Sequence, residues 1–154
     1  MKPGTEAHGG STFCALASLS MLDRISILKP YDLKHIKTWL LHRQITGFQG
    51  RTSKDPDTCY CSWIGCSLVI LDAYQFVADK ENVDFLDSAQ DEDLGGFAKY
   101  PRAYPDVLHT FFGLSALSLR VKSGIAEDPY LRPVCPLLHI SERAFEHLKS
   151  LNNS

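Results

Sequence analysis

The chain repeats itself at an interval of about 50 residues, and this limits its fold more than any other feature. Thr12-Phe13-Cys14-Ala15-Leu16-Ala17-Ser18-Leu19 matches Thr110-Phe111-Phe112-Gly113-Leu114-Ser115-Ala116-Leu117, and residues 60–67 fit between them at spacings of 48 and 50. A looser match joins residues 39–48 to residues 85–97. Each is a helical stretch that ends in Gln and passes through a polar link to Gly-Phe. A unit of this length holds two helices. The pattern predicts helices over 10–23, 31–43, 58–77, 80–89, 105–121 and 139–150. Those starting near 10, 58 and 105 are apolar on nearly every face, so they are expected to be buried on more than one side. Those near 31 and 80 carry charge on one face and read as outer helices.

Helix pairs stacked with the apolar member inside give an all-α fold, a solenoid or an α/α barrel (toroid). About three units are present, roughly half of a closed ring. Repeat arrays need capping units, and the first unit starts almost at residue 1, so the reading is of part of a longer chain. An open stack of this kind is expected to show the apolar face of its first inner helix, around Phe13, Leu16 and Leu19. One domain is expected over 1–154, with a loop at 122–138, where three Pro and a Gly fall, and a C-terminal helix and tail over 139–154.

Composition narrows the class. With 16 basic and 18 acidic residues the net charge is −2, which gives no footprint for nucleic acid. The longest apolar run, residues 61–71, is too short to span a bilayer. The first ten residues lack the apolar core of a signal peptide. Five cysteines (Cys14, Cys59, Cys61, Cys66, Cys135) are an odd number, mostly in apolar surroundings, which points to reduced thiols and a cytoplasmic protein.

Three groups of residues carry chemistry. Asp57 and Cys59, with His109 fifty residues after Cys59, are metal-ligand types. On the repeat alignment Cys59 and His109 fall level with Ser11, at the N-terminal ends of adjacent inner helices, so one metal could be shared. Asp57 reads equally as a helix cap. Cys61 is a poor alternative ligand, because two positions along a helix turn it to the opposite side. Arg51 and Lys54 lie in the Gly-rich link before these residues, Lys99 in the next link, and His8 before the first inner helix. Helix N-termini and converging cations suit a phosphate or diphosphate, although loop cations more often form a solvated rim. Phe13, Tyr60, Trp63, Phe111 and Phe112 lie on the inner helices, as core or as the lining of an apolar pocket.

Residues 6–19 (EAHGGSTFCALASL), 47–63 (GFQGRTSKDPDTCYCSW) and 94–119 (LGGFAKYPRAYPDVLHTFFGLSALSL) resemble, in order, the β subunits of protein prenyltransferases, and among them most the type I protein geranylgeranyltransferases. The resemblance implies zinc held by Asp57, Cys59 and His109. It implies an isoprenoid diphosphate, geranylgeranyl diphosphate, met by His8, Arg51, Lys54, Tyr60 and Lys99. The Gly9-Gly10 backbone and Thr52, Ser53, Cys61 and Ser62 would lie close by, and Trp63 would line the isoprenoid channel. It implies transfer to the Cys of C-terminal CaaX proteins such as small GTPases, and a separate α subunit completing a heterodimer. Farnesyltransferases have Tyr where this chain has Leu108 and a magnesium-binding Asp where it has Lys99. The Lys99 ammonium would replace that charge, so Mg²⁺ is not expected to be required. Rab geranylgeranyltransferase fits the links less well. A non-catalytic helical-repeat scaffold is the reading from another class. Terpene cyclases share the toroid but use Asp-rich motifs, and no such cluster falls on these inner helices. Family β subunits are more than twice as long as this chain.

Overall fold

Every inner helix begins at a residue whose side chain stops the backbone from running on. In the computed structural model, which describes residues 4–152, α1 (Gly9–Met21) is capped by His8, α3 (Thr58–Ile70) by Asp57 and α5 (Val107–Lys122) by Asp106. Each cap residue is extended and its side chain accepts a backbone N–H from the first turn, which removes one orphan donor. The ends are equally local. Asp23 and Asp72 take left-handed backbone just after α1 and α3 (φ 53° and 51°), and Gly124 does so after α5. Residues 1–3 and 153–154, included in the expected domain, lie outside the described residues.

These stops shorten the expected helices. The apolar run over 58–77 is α3 to Ile70, then the left-handed Asp72 and a single 3₁₀ turn at Tyr74–Phe76. The stretches at 10–23 and 31–43 end at Met21 and Leu41. Apolar periodicity carried those expectations past the residues where the backbone turns. The outer helices are α2 (Pro30–Leu41), with Pro at its first position, and α4 (Asp79–Ala89), with Asp79 and Glu81 in its first turn.

The region expected as loop over 122–138 is only partly one. Lys122 ends α5, and β1 (Val134–Cys135) pairs antiparallel with β2 (Ile140–Ser141). The helix expected from 139 therefore starts later, as α6 (Glu142–Asn152). His139 turns this hairpin in a left-handed conformation (φ 54°).

α3 lies between α1 and α5 and is the most deeply buried helix: Cys61, Ile64, Cys66 and Leu68 are fully buried there, facing Leu16, Ala116 and Leu119. Glycine sets the spacing. A Cβ on Gly65 would come within 2.8 Å of Leu119 Cδ1. The first inner helix does not show Leu16 to solvent as expected. Leu16 is buried against the core and Phe13 packs beside it. The open face of α1 instead presents Cys14, Ala15, Ser18 and Met21, while that of α5 presents Val107, Leu108, Phe111 and Leu114.

The hairpin ties the three inner helices together through one ring. His139 meets Phe13 of α1 edge-on at 4.9 Å and Phe112 of α5 at 5.5 Å, and its Nε2 lies 3.3 Å from Cys66 Sγ of α3. Burial pushes its pKa down to about 4. The unfolded chain, with an ordinary histidine, therefore binds more protons than the folded one between about pH 6.5 and 4. Stability is full above that window and falls on acidification through it, by at most about 3 kcal/mol. His139→Asn keeps the left-handed turn and should remove this part of the acid slope. Urea midpoints measured at the two ends of the window check it.

Candidate metal centre and anion cavity

Two backbone hydrogen bonds bring the site together. The first amide of α1, Gly9 N–H, donates to Gly50 O at 2.7 Å, and the first amide of α3, Thr58 N–H, donates to Lys99 O at 3.0 Å. Thr58 Oγ1 adds a bond to Ala98 O at 2.7 Å. Each link is thus laid over the start of the preceding inner helix. Arg51 and Lys54 come to the His8 end of α1, and Lys99 to the Asp57 end of α3.

The caps His8, Asp57 and Asp106 recur every 49 residues. This corrects the sequence register by one residue: His109 is equivalent to Tyr60, and Cys59 stands one position earlier. The short thiol and the longer imidazole still converge. One ligand atom from each of Asp57, Cys59 and His109 lies within 4.8 Å of the others. Asp57 Oδ1 accepts the Cys59 N–H at 2.8 Å, and His109 Nε2 stands 3.7 Å from the same carboxylate. Carboxylate, thiol and imidazole are the donor set of a three-ligand metal site with an open position. His109 Nδ1 donates to Asp106, so in the neutral ring Nε2 carries the lone pair and, with the Asp57 carboxylate opposite, makes a pair of lone-pair donors. That juxtaposition fits a cation. Burial, then the Asp57 carboxylate, push the Cys59 thiol up to about 12, so a metal must displace its proton to bind. Cys61 is fully buried with its thiol directed at Asp57 O, away from this group.

Beside the metal group lies a cavity of about 320 Å³ lined by His8, Arg51, Lys54, Tyr60 and Lys99, with the carboxylates of Asp55 and Asp57 at its wall. Lys99 Nζ stands 3.7 Å from Asp57 Oδ2 and joins the two parts. His8 Nδ1 accepts the Ser11 N–H at 3.4 Å, so the proton of a neutral ring is on Nε2, which meets the Tyr60 oxygen at 2.9 Å. Burial raises the Tyr60 pKa, and its own proton stays available for an anion. Gly50 makes room for this ring: a Cβ there would stand 2.1 Å from Tyr60 Cζ. Arg51 also pairs with Glu6 at 3.0 Å. A second cavity, of about 500 Å³, lies on the other side of Asp55 and Pro56, and its charged lining, Asp55, Glu81 and Asp84, is acidic.

Several expected ligand contacts are not in this cavity. Cys61 and Ser62 are covered by helix packing, because positions four and five of α3 turn into the core. Thr52 accepts from Arg43 Nη1 at 2.8 Å, and Ser53 sits in a left-handed turn (φ 60°); neither lines it. Gly9 spends its N–H on Gly50, and a Cβ on Gly10 would press on the Trp63 ring at 3.2 Å, so this pair serves close packing. Trp63 lies outside the cavity, in an edge-to-face series with Tyr60 and Phe112. Asp106 and Glu6 went unnoticed in the sequence. The 49-residue cap spacing would have singled out Asp106.

The prenyltransferase alpha-alpha toroid domain matches residues 1–140. The chain belongs to the prenyltransferase family. It is 46% identical over 142 residues to the geranylgeranyl transferase type-1 subunit beta of Dictyostelium discoideum, covering 92% of this chain and 38% of that protein. It is 37% identical to the Arabidopsis thaliana protein of the same name, covering 88% and 37%. Its structure superposes on Candida albicans protein geranylgeranyltransferase-I complexed with GGPP with a TM-score of 0.81 at 32% identity, covering 95% of this chain and 44% of that one. This prenyltransferase chain thus spans about two fifths of the length of the curated relatives it matches. Among the described residues no helix is long and apolar enough to cross a membrane.

Two outcomes test this geometry. Cys59→Ser should weaken binding of a divalent transition metal strongly, while Cys61→Ser should leave it within about twofold of the parent. Metal titration of the purified variants measures both. Gly50→Ala should displace the Tyr60 ring, costing about 1–3 kcal/mol of stability and lowering pyrophosphate affinity, read by thermal melting and calorimetry.

Proposed function

We propose that this chain carries the metal and diphosphate groups of a type I protein geranylgeranyltransferase β subunit. The reaction is transfer of the geranylgeranyl group from its diphosphate to the Cys thiol of a C-terminal CaaX sequence, as on small GTPases. The observation that carries this reading is the joining of the Asp57–Cys59–His109 group to a cationic cavity through Asp57 and Lys99. The names of the relatives, and the GGPP complexed with the Candida albicans neighbour, support the substrate. An α subunit completes the enzyme, in the cytoplasm, where five free thiols are stable.

Asp57, Cys59 and His109 would hold zinc, which when bound lowers the pKa of a coordinated substrate thiol so that it reacts as thiolate. The remaining work belongs to this chain's own side chains. Arg51, Lys54 and Lys99 hold the diphosphate and stabilise the charge that grows on it as its bond to C1 breaks. The Tyr60 hydroxyl donates to the same anion while His8 fixes its direction. The thiolate forms the new bond to C1, and diphosphate departs with the electron pair. Trp63 and the aromatic series beyond it offer the apolar surface for the isoprenoid.

Lys99 supports geranylgeranyl over farnesyl chemistry. A fixed ammonium beside the diphosphate supplies charge that Mg²⁺ would otherwise bring. Lys99→Asp should slow single-turnover transfer in the assembled heterodimer by on the order of tenfold or more. Millimolar magnesium should restore part of the rate and leave the parent unchanged. Flat, superimposable curves of rate against magnesium for both proteins would remove Lys99 from the site. Absence of transfer from GGPP to any CaaX peptide, with zinc bound, would overturn the proposed activity.

A further inference from the structure

We infer that Asp106 is the positioning residue of the metal centre, fixing the tautomer and direction of His109 so that Nε2 faces the ion. The inference rests on the metal reading above. One Asp106 oxygen accepts the His109 backbone N–H at 2.9 Å, and the other accepts from its Nδ1 at 2.5 Å. A single carboxylate therefore holds both the start of α5 and the ring, so the imidazole cannot turn without losing a bond. The proton is kept on Nδ1 because a carboxylate only accepts. In the neutral ring this leaves the lone pair on Nε2, which stands 3.7 Å from Asp57 Oδ1.

The comparison with Asp57 shows why one cap is a ligand and the other is not. Asp57 accepts the Cys59 amide on Oδ1, which also stands 3.7 Å from His109 Nε2, and holds Oδ2 toward Lys99 and the cavity. Asp106 commits both oxygens to His109 and has none to offer a metal. A carboxylate behind a ligating imidazole raises its basicity and orients it, and loss of such partners typically lowers metal affinity about 10–100-fold. Asp106 is half exposed, so water competes for its oxygens, which favours the lower part of that range.

The test uses Asp106→Asn and Asp106→Ser in this chain, with Co²⁺ as the probe. Asn remains a good cap for the His109 amide, but its NH₂ group faces Nδ1 and drives the ring proton to Nε2, the ligating atom. Ser keeps the cap and leaves Nδ1 to water. Long-range ¹H–¹⁵N spectra of the metal-free proteins should show the Nδ1–H tautomer for His109 in the parent and Nε2–H in Asp106→Asn. Co²⁺ affinity should fall about 10–100-fold in Asp106→Asn and less in Asp106→Ser, while metal-free melting and pyrophosphate affinity stay at parent values. An unchanged tautomer, or parent-like Co²⁺ affinity in Asp106→Asn, overturns the assignment. Equal losses of melting temperature and metal in both variants reduce Asp106 to a helix cap and overturn it as well. A parent without a thiolate-to-cobalt band overturns the metal reading itself, and the inference falls with it.

Discussion

The hydrogen bonds from the first amides of α1 and α3 to the carbonyl of the next link set the geometry of everything else. Gly9 to Gly50 and Thr58 to Lys99 are the same bond one repeat apart. A buried helix start has amides that its own turns cannot satisfy. Giving one of them to the following link solves that problem and lays the link across the helix end. The functional cations travel with it. Arg51 and Lys54 follow Gly50, and Lys99 is itself the acceptor residue, so a requirement of backbone satisfaction also gathers positive charge at one end of the arc.

The repeat then differentiates by small changes at equivalent positions. Gly50 has no side chain, which admits the Tyr60 ring; 49 residues on, Lys99 takes the place of Gly50 and His109 that of Tyr60. The three caps diverge in the same way. His8 orients Tyr60, Asp57 faces both the metal group and Lys99, and Asp106 holds His109. Each still performs the ordinary task of a cap.

Much of this was legible because the signals are local and repeated. The inner and outer helices, the ligand types Asp57, Cys59 and His109, and the cationic links could be read from periodicity and from residues placed before apolar runs. Helix ends were overrun where Asp23 and Asp72 turn the chain left-handed, a conformation that apolar spacing does not register. The burial of Cys61 and Ser62 was missed because a motif read as a string gives every member to the ligand, whereas a helix turns some of them into the core. The hairpin was hidden by its two-residue strands, too short for any alternation to emerge. Asp106 was passed over because its role depends on a ring three residues later that folds back on it.

His139 changes how the array must fold. In a helical-repeat stack each unit touches only its neighbours, and the stack can form or fray one unit at a time. The His139 ring touches α1, α3 and α5 together. Its contact with Phe13 closes a loop over most of the chain. The hairpin is fully docked only when α1, α3 and α5 are all in place, so these three repeats are coupled through one ring. Such non-local closure slows folding, and displacing α1 costs the hairpin its Phe13 contact.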